Sequence, residues 1–460
     1  PDVKNYFVLA GVNSTGIQSG SGAGKAVADW IMAGHPTMDL SEMDPARIEA
    51  FQAQDRYLQE RCPETLVLTY AMHWPGRQRE TVRGLRRTPF YHALKAKGAV
   101  YTEMQGWERP SWFAPDGVAP VHDYAFDQPS WFDHAQAEQK SAREGVVMID
   151  YSMLGKHMVE GKDAENFLQR VSTNDVSIVD GRVIYSLMLN ERGGIEGDVT
   201  IARHDKTRFM VMSAISHTRR NRDHLQHAIL ANEDVIIRDV TSAYAVLALS
   251  GPLSRAVLET LVDISLSDKD FPPYSLQQFY IGHAPVFAQR LSFTGEMGWE
   301  IFITPDFAEY VFEQLYQAGQ AYDLRLAGGE ALNALRIEKG FVHWGSDMAY
   351  TESPHQIGLG FACHVDKDIA FTGEAAYLAR RAEAKGPFLC SLKLQQPDAM
   401  LHHNEPVLRD GVVVGFITSG AFSAAKGSAV GLCLIEPPAG TSGGEALEKG
   451  DYSVLVEGRI

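Results

Sequence analysis

From about residue 131 onward, strand-like segments follow one another with no helix between several of them. A doubly wound parallel sheet cannot be built from such an order, because each parallel crossover needs an intervening segment. Apolar runs rich in β-branched and aromatic residues predict strands at 146–149, 198–203, 208–213, 235–239, 244–249, 286–293 and 299–303. Helical spacing predicts helices at 132–144, 164–171, 216–231, 253–262 and 306–321. The implied class is α+β with antiparallel pairing. From residue 388 the texture changes again: short strands at 388–394, 406–409, 412–418, 429–435 and 452–455 alternate with turns, which predicts a small β-barrel. At 460 residues the chain exceeds what one core organises, so several domains are expected.

The first 130 residues read differently. An apolar run at 6–10 has the composition of a strand, and Gly11, Val12, Asn13, Ser14, Thr15 and Gly16 then turn the chain into a small-residue helix over 17–33. Free N–H groups at such a helix start suit a ligand oxygen. Alternatively the glycines serve only a close-packed helix start. A phosphate-binding P-loop is excluded, since Ser19 stands where its first Gly is needed and Ala26 follows Gly24-Lys25. A second helix is predicted at 44–62. The stretch 63–129, rich in Pro, Arg, Trp and Tyr, reads as a connecting region anchored by aromatic side chains. A chain opening at Pro1 and running directly into a strand-like segment suggests that further residues precede it.

A formal net charge of −16 excludes nucleic acid and anionic membrane surfaces as main partners. No apolar run approaches the length of a membrane span. The four cysteines, Cys62, Cys363, Cys390 and Cys433, are scattered, and neither they nor His402-His403 have metal-ligand spacing, so no metal is expected.

Three further segments carry chemistry. In Asn190-Glu191-Arg192-Gly193-Gly194-Ile195-Glu196-Gly197-Asp198, a Gly-Gly turn joins two apolar segments and delivers Asp198 to the start of the next strand. That carboxylate is either a solvated turn residue or a general base at a cavity mouth. In 290–300, Phe293 and Glu300 bracket a Gly-containing turn; an aromatic face beside a carboxylate suits a flat heterocycle with an amidine-like edge, and a plain β-hairpin is the alternative. Residues 331–340 read as a helix ending at Gly340, with Arg336 and Glu338 as ion-pair formers.

Together with Leu249-Ser250-Gly251-Pro252 and Thr418-Ser419-Gly420, these segments fall in the order seen in the glycine-cleavage T-protein (aminomethyltransferase) family, and the chain resembles that family over roughly residues 131–455. Residues 7–30 resemble the closing strand and helix of the FAD domain in sarcosine and dimethylglycine dehydrogenases. Leu85 to His92 and Gly106 to Phe113 resemble their connecting region, and His343-Trp344 and Phe293 lean toward the sarcosine branch. The resemblance implies four parts: residues 1–43 as the tail of an FAD-binding oxidoreductase domain, 44–130 as a connecting domain, 131–365 as a folate-binding domain and 366–460 as the barrel.

The resemblance further implies FAD-dependent oxidation of an N-methyl amino acid, with the one-carbon unit passed to tetrahydrofolate as 5,10-methylenetetrahydrofolate. Asp198 is then the catalytic carboxylate. Glu300, Phe293, Tyr185, Met188, Ser213 and Arg336 contact folate, and Gly11, Asn13, Ser14, Gly16 and Ile17 belong to a partial FAD site. Phe293 replaces a Tyr common in the family, and Leu332 stands where an Arg is usual. The dinucleotide-binding start of the FAD domain has no counterpart here, so this chain should bind folate and hold FAD poorly or not at all. An electron-transfer acceptor is the expected protein partner, in the bacterial cytoplasm or mitochondrial matrix. Two rival readings are a stand-alone tetrahydrofolate-dependent aminomethyl- or methyltransferase, and a non-catalytic folate-binding protein. Against the latter, Phe341-Val342 follows Lys339-Gly340 where those relatives carry Cys-Tyr.

Overall fold

The computed structural model describes residues 6–12, 14–438, 441, 447 and 450–456. Helix α1 spans Gly16–Ala33, α2 Asp55–Tyr70 and α3 Tyr91–Ala96, and the hairpin β1 (Ala99–Met104) and β2 (Trp107–Phe113) follows. Next come α4 (Phe132–Glu144), β3 (Val147–Asp150), β4 (Gly155–Glu160), α5 (Ala164–Val171), β5 (Val183–Leu189), β6 (Ile195–Asp205) and β7 (Arg208–Ser213). The chain continues through α6 (Thr218–His227), β8 (Ile236–Asp239), β9 (Ala245–Ser250), α7 (Ser254–Glu259), β10 (Leu276–Ile281), β11 (Ala284–Gln289) and β12 (Gly298–Ile303). It closes with α8 (Ala308–Gln320), β13 (Arg325–Leu326), α9 (Gly329–Glu338), α10 (Glu374–Glu383) and the strands β14 (Phe388–Lys393), β15 (Pro406–Arg409), β16 (Val412–Ser423), β17 (Ser428–Ile435) and β18 (Tyr452–Val454).

Two sheets dominate. One has the order β10-β11-β12-β9-β3-β13, antiparallel except for the short β3–β13 pair; the other, β5-β6-β7-β4-β8, is antiparallel throughout. Strand alternation puts every second side chain on one face. Val246, Ala248, Phe287 and Phe302 of the first sheet thereby share a core with Met158, Val183, Ala202, Met210 and Met212 of the second. The outer face of the first sheet packs on α7, α8 and, through Phe90, Tyr91, Leu94, Ala99 and Tyr101, on residues expected within the connecting region. The outer face of the second is covered by α5 and α6. Each fully buried large side chain in these layers stabilises the fold by roughly 1.5–3 kcal/mol. The last five strands form an antiparallel sheet of order β14-β17-β16-β15-β18, a half-barrel whose residues Val430 and Leu432 pack on Leu187, Leu189 and Ile195 of the second sheet.

Several expectations need correction. Residues 6–10 form no strand: no other segment of the described residues pairs with them, and their side chains are exposed. Residues 44–62 are not one helix, because Pro45 opens a single 3-10 turn, a second follows at Ala50–Ala53, and α2 starts only at Asp55. Strand β11 ends at Gln289, so Phe293 lies in the following loop. Strand β6 begins at Ile195, which carries Asp198 into the strand, opposite Leu187, rather than leaving it at the entry.

Candidate functional site

The Asn190–Gly194 turn is held by one side chain. Asn190 Oδ1 accepts from the backbone N–H groups of Arg192 and Gly194, both at 3.0 Å, while its Nδ2 donates to Tyr350 O at 3.1 Å and Glu196 Oε1 at 2.9 Å. The two glycines follow from this geometry: Gly193 has φ +74°, and a Cβ on Gly194 would collide with the Tyr350 carbonyl oxygen. Gly194→Ala should therefore destabilise the fold by about 1–3 kcal/mol, read from the urea midpoint; an unchanged midpoint would contradict this contact.

Beyond the turn, Asp198 sits on the face of β6 shared with Ala202, which looks toward the first sheet. Its neighbours on that side at the hairpin end are Tyr185, Leu187, Leu189 and Ile195, which pack on the half-barrel and on the 342–363 segment. Asp198 thus lies where both sheets and the half-barrel meet. The Tyr185 hydroxyl donates to Asp198 Oδ2 at 3.2 Å. Burial pushes the Asp198 carboxyl up to about 6, the Tyr185 bond draws it down, and the negative Asp347 raises it further. Asp347 is fully buried and accepts from Arg336 Nη1 (2.6 Å), Thr418 Oγ1 (2.6 Å) and His343 N (2.9 Å). Arg336 also reaches Ser419 Oγ (2.6 Å), Phe341 O (3.0 Å) and Asn333 Oδ1 (3.0 Å), so its guanidinium ties α9 to the half-barrel.

Glu300 belongs to the first sheet, opposite Gln289 on β11 and Ala248 on β9, and shares its face with Phe302. It is 4% exposed, and its Oε2 has no partner. Burial pushes its carboxyl up to about 8, with Lys156 acting in the opposite direction. The Tyr151 hydroxyl and Gln289 Oε1 are likewise buried without partners, and Gln289 Nε2 lies 3.5 Å from Met212 Sδ. Met212 is the cross-strand neighbour of both Thr200, two residues beyond Asp198, and Lys156. The two carboxylates therefore stand on facing surfaces of the two sheets, bridged by Thr200, Met212 and Gln289.

Other expected contacts are placed elsewhere. Met188 and Ser213 point from the opposite face of the second sheet: Met188 packs with Val199 and Leu225, and Ser213 Oγ lies with Thr218 over Gly155. Phe293 stacks on Phe341 at a centroid distance of 5.8 Å. Gly11 and Ser14 have positive φ, Gly16 starts α1 and Ile17 is fully exposed, while Asn13 lies outside the described residues. No side chain caps α1, and a Cβ on Gly11 would meet nothing within 4 Å. The described residues of this loop do not enclose a flavin. A cavity of about 540 Å³ lies between Tyr57, Arg61 and Glu103 on one side and His217, His343 and Trp344 on the other; a smaller one of about 130 Å³ adjoins Glu330, Asn333 and His402. Neither is lined by Asp198 or Glu300.

Sequence reasoning misses Lys156, Tyr151, Gln289 and Asp347. Lys156-His157 in a half-apolar run reads as a surface pair, and only the register of β4 turns Lys156 inward. Among the described residues no group of His, Cys, Asp and Glu could hold a metal ion, and no helix is long and apolar enough to cross a membrane.

Family models match in three successive blocks: an "FAD dependent oxidoreductase central domain" at 33–88, a "GCVT N-terminal domain" at 90–367 and a "Glycine cleavage T-protein C-terminal barrel domain" at 388–459. Over its whole length the chain is 37% identical to a 4-methylaminobutanoate oxidase (formaldehyde-forming) of Paenarthrobacter nicotinovorans, covering 55% of that protein. It is 32% identical to a mitochondrial pyruvate dehydrogenase phosphatase regulatory subunit of Mus musculus (100% of this chain, 54% of the relative), and 29% identical to human mitochondrial sarcosine dehydrogenase (99% and 54%). The chain thus spans about half the length of the curated relatives it matches. The fold is shared with a solved aminomethyltransferase T of the glycine cleavage system from Bartonella henselae, at TM-score 0.65 and 22% identity, over 82% of this chain and 98% of that one. The chain belongs to the GCVT N-terminal domain family, with an FAD dependent oxidoreductase central domain match before it and a glycine cleavage T-protein C-terminal barrel domain match after it.

Proposed function

We propose that this chain is the tetrahydrofolate-dependent half of an FAD-dependent oxidoreductase that demethylates N-methyl amino acids of the sarcosine or dimethylglycine type and yields 5,10-methylenetetrahydrofolate. The observation that carries the reading is the pair of carboxylates, Asp198 and Glu300, on facing sheets, with the orphaned buried atoms Gln289 Oε1 and Tyr151 Oη beside the equally unpartnered Glu300 Oε2. Buried polar atoms without partners are rare, and several on one interface suit a polar ligand. A pterin fits them: its ring N–H and amino group are donors for a carboxylate, and its carbonyl is an acceptor for a hydroxyl.

When bound, tetrahydrofolate supplies the nucleophilic nitrogen that takes up the one-carbon unit. Glu300 orients the ring by accepting its donors in a water-poor environment, where a charge-assisted pair is strong. Asp198, fixed by Tyr185, accepts the proton released at that nitrogen and stabilises positive charge nearby.

The test is binding. Tetrahydrofolate titrated anaerobically into the chain, followed by tryptophan fluorescence or calorimetry, should saturate at one site. Glu300→Gln should weaken it by about 10- to 100-fold, the loss of one charged hydrogen-bonded partner. Equal affinity in both proteins would remove the proposal.

A further inference from the structure

We infer that Lys156 is a specificity residue of this site: its buried ammonium is the counter-charge of Glu300 and the donor that recognises a carbonyl oxygen on the bound heterocycle. The inference rests on the folate reading above and deepens it. Lys156 is wholly buried, and its side chain leaves β4 on the face of Met158, toward the first sheet. Its cross-strand neighbour is Met212, whose sulfur meets Gln289, and Gln289 is in turn the cross-strand neighbour of Glu300. The ammonium donates to Ser152 O at 2.9 Å and Leu154 O at 2.7 Å. An ammonium has three donors, so these two bonds leave one proton to point elsewhere.

The charged and titratable groups around it are Asp150, Asp239 and Glu300, with Tyr151 beside Glu300. Asp150 already accepts from Thr88 Oγ1 (2.5 Å) and Ser152 N (2.9 Å), and Asp239 from Thr241 N (2.9 Å). Asp239 also pairs with Arg222 at 3.6 Å, and of the three carboxylates Glu300 is the one with a buried oxygen that has no partner. Burial is the first cause of both shifts, lowering the Lys156 ammonium to about 7 and raising the Glu300 carboxyl to about 8, while Asp150, Asp239 and then Glu300 favour the charged lysine and Lys156 favours the charged carboxylate.

The groups form a pattern. Glu300 Oε2 and Gln289 Oε1 are unpartnered acceptors and Tyr151 Oη an unpartnered hydroxyl, while Lys156 Nζ adds the one proton its bonds to Ser152 O and Leu154 O leave over. Their complement is a ring edge that presents N–H donors beside a carbonyl oxygen, as the 2-amino-4-oxo edge of a reduced pterin does. A ring bearing an amino group in place of that carbonyl would set donor against ammonium. Sites built to hydrogen-bond a group reject analogues lacking it strongly, because their own buried groups are left unpaired.

The experiment has two arms. In the first, wild type and Lys156→Met are titrated with tetrahydrofolate and with its 4-amino analogue. Wild type should prefer the 4-oxo ligand by about tenfold or more, and Lys156→Met should lose that preference, mainly by weaker tetrahydrofolate binding. In the second, thermal unfolding of Lys156→Met, Glu300→Gln and the double variant tests the pairing without ligand. At a pH well above 8, where Glu300 is ionised, the double variant should melt above Lys156→Met alone, since it no longer buries an uncompensated carboxylate. Wild-type binding of tetrahydrofolate with an unchanged preference in Lys156→Met overturns this inference and leaves the folate reading standing. No binding to wild type overturns both. Should Lys156→Met fail to fold, restoration by Glu300→Gln supports the pairing, and no restoration counts against it.

Discussion

Asp198→Asn should slow transfer of the one-carbon unit to tetrahydrofolate by about 100- to 10,000-fold, the usual worth of a positioned general base. Ligand binding should change little, because the amide keeps the side chain's size and still accepts from the Tyr185 hydroxyl at Asp198's oxygen position. What is lost is basicity and negative charge at the point where the attacking nitrogen becomes positive. In an enzyme that continues to oxidise its amine, the blocked one-carbon unit goes to water instead, so formaldehyde should rise as methylenetetrahydrofolate falls. The pH dependence is a second signature. The Asp198 carboxyl is pushed up to about 6, first by burial, so the carboxylate fraction and the transfer rate should climb as pH rises through that value. Asp198→Asn should abolish that acid limb. A variant that transfers at the wild-type rate, or that keeps the limb, would show that another group takes the proton.

Which parts of this picture were legible beforehand follows from periodicity and its limits. Helices α4 and α5 and strands β7 and β15 fall on the predicted residues, because each has a clear apolar spacing bounded by turn residues. Residues 6–10 have the same strand-like composition and remain unpaired, since a strand requires a hydrogen-bonding neighbour that composition cannot supply. The Gly193-Gly194 turn was visible, but the start of β6 was not: Gly197 looks like turn and is ladder, because its missing side chain makes room for Met188 and Asn221. Asp198 and Glu300 could be singled out by motif, and their facing arrangement rests on which parity of β6 and β12 turns inward. Lys156 shows the limit. A lysine next to a histidine reads as surface, and its burial depends on pairing with Met212, 56 residues away in sequence. For Met188 and Ser213 the same parity works in reverse: they lie on the second sheet with side chains on the face away from Asp198.

Arg336→Met should destabilise the fold by about 3–5 kcal/mol, the cost of leaving a buried partner charge uncompensated. Arg336 is 5% exposed, and Asp347 is wholly buried. With the guanidinium gone, Asp347 keeps only the Thr418 hydroxyl and the His343 amide as donors, too few to replace a paired cation in that environment. The damage should not stay local. Arg336 ties α9 to β16 through Ser419 and to the 341–347 segment through Phe341 O, so its loss loosens the half-barrel from the surface that Asp198 faces. Urea unfolding monitored by tryptophan fluorescence should then show an earlier transition, and one-carbon transfer should drop even though Arg336 reaches neither expected carboxylate. The double variant Arg336→Met/Asp347→Asn separates pairing from packing. Removing both charges should recover part of the lost stability, because a neutral amide at 347 still bonds Thr418 or His343 without requiring a cation. If the double variant is no more stable than Arg336→Met alone, the ion pair is not what holds α9 to the half-barrel.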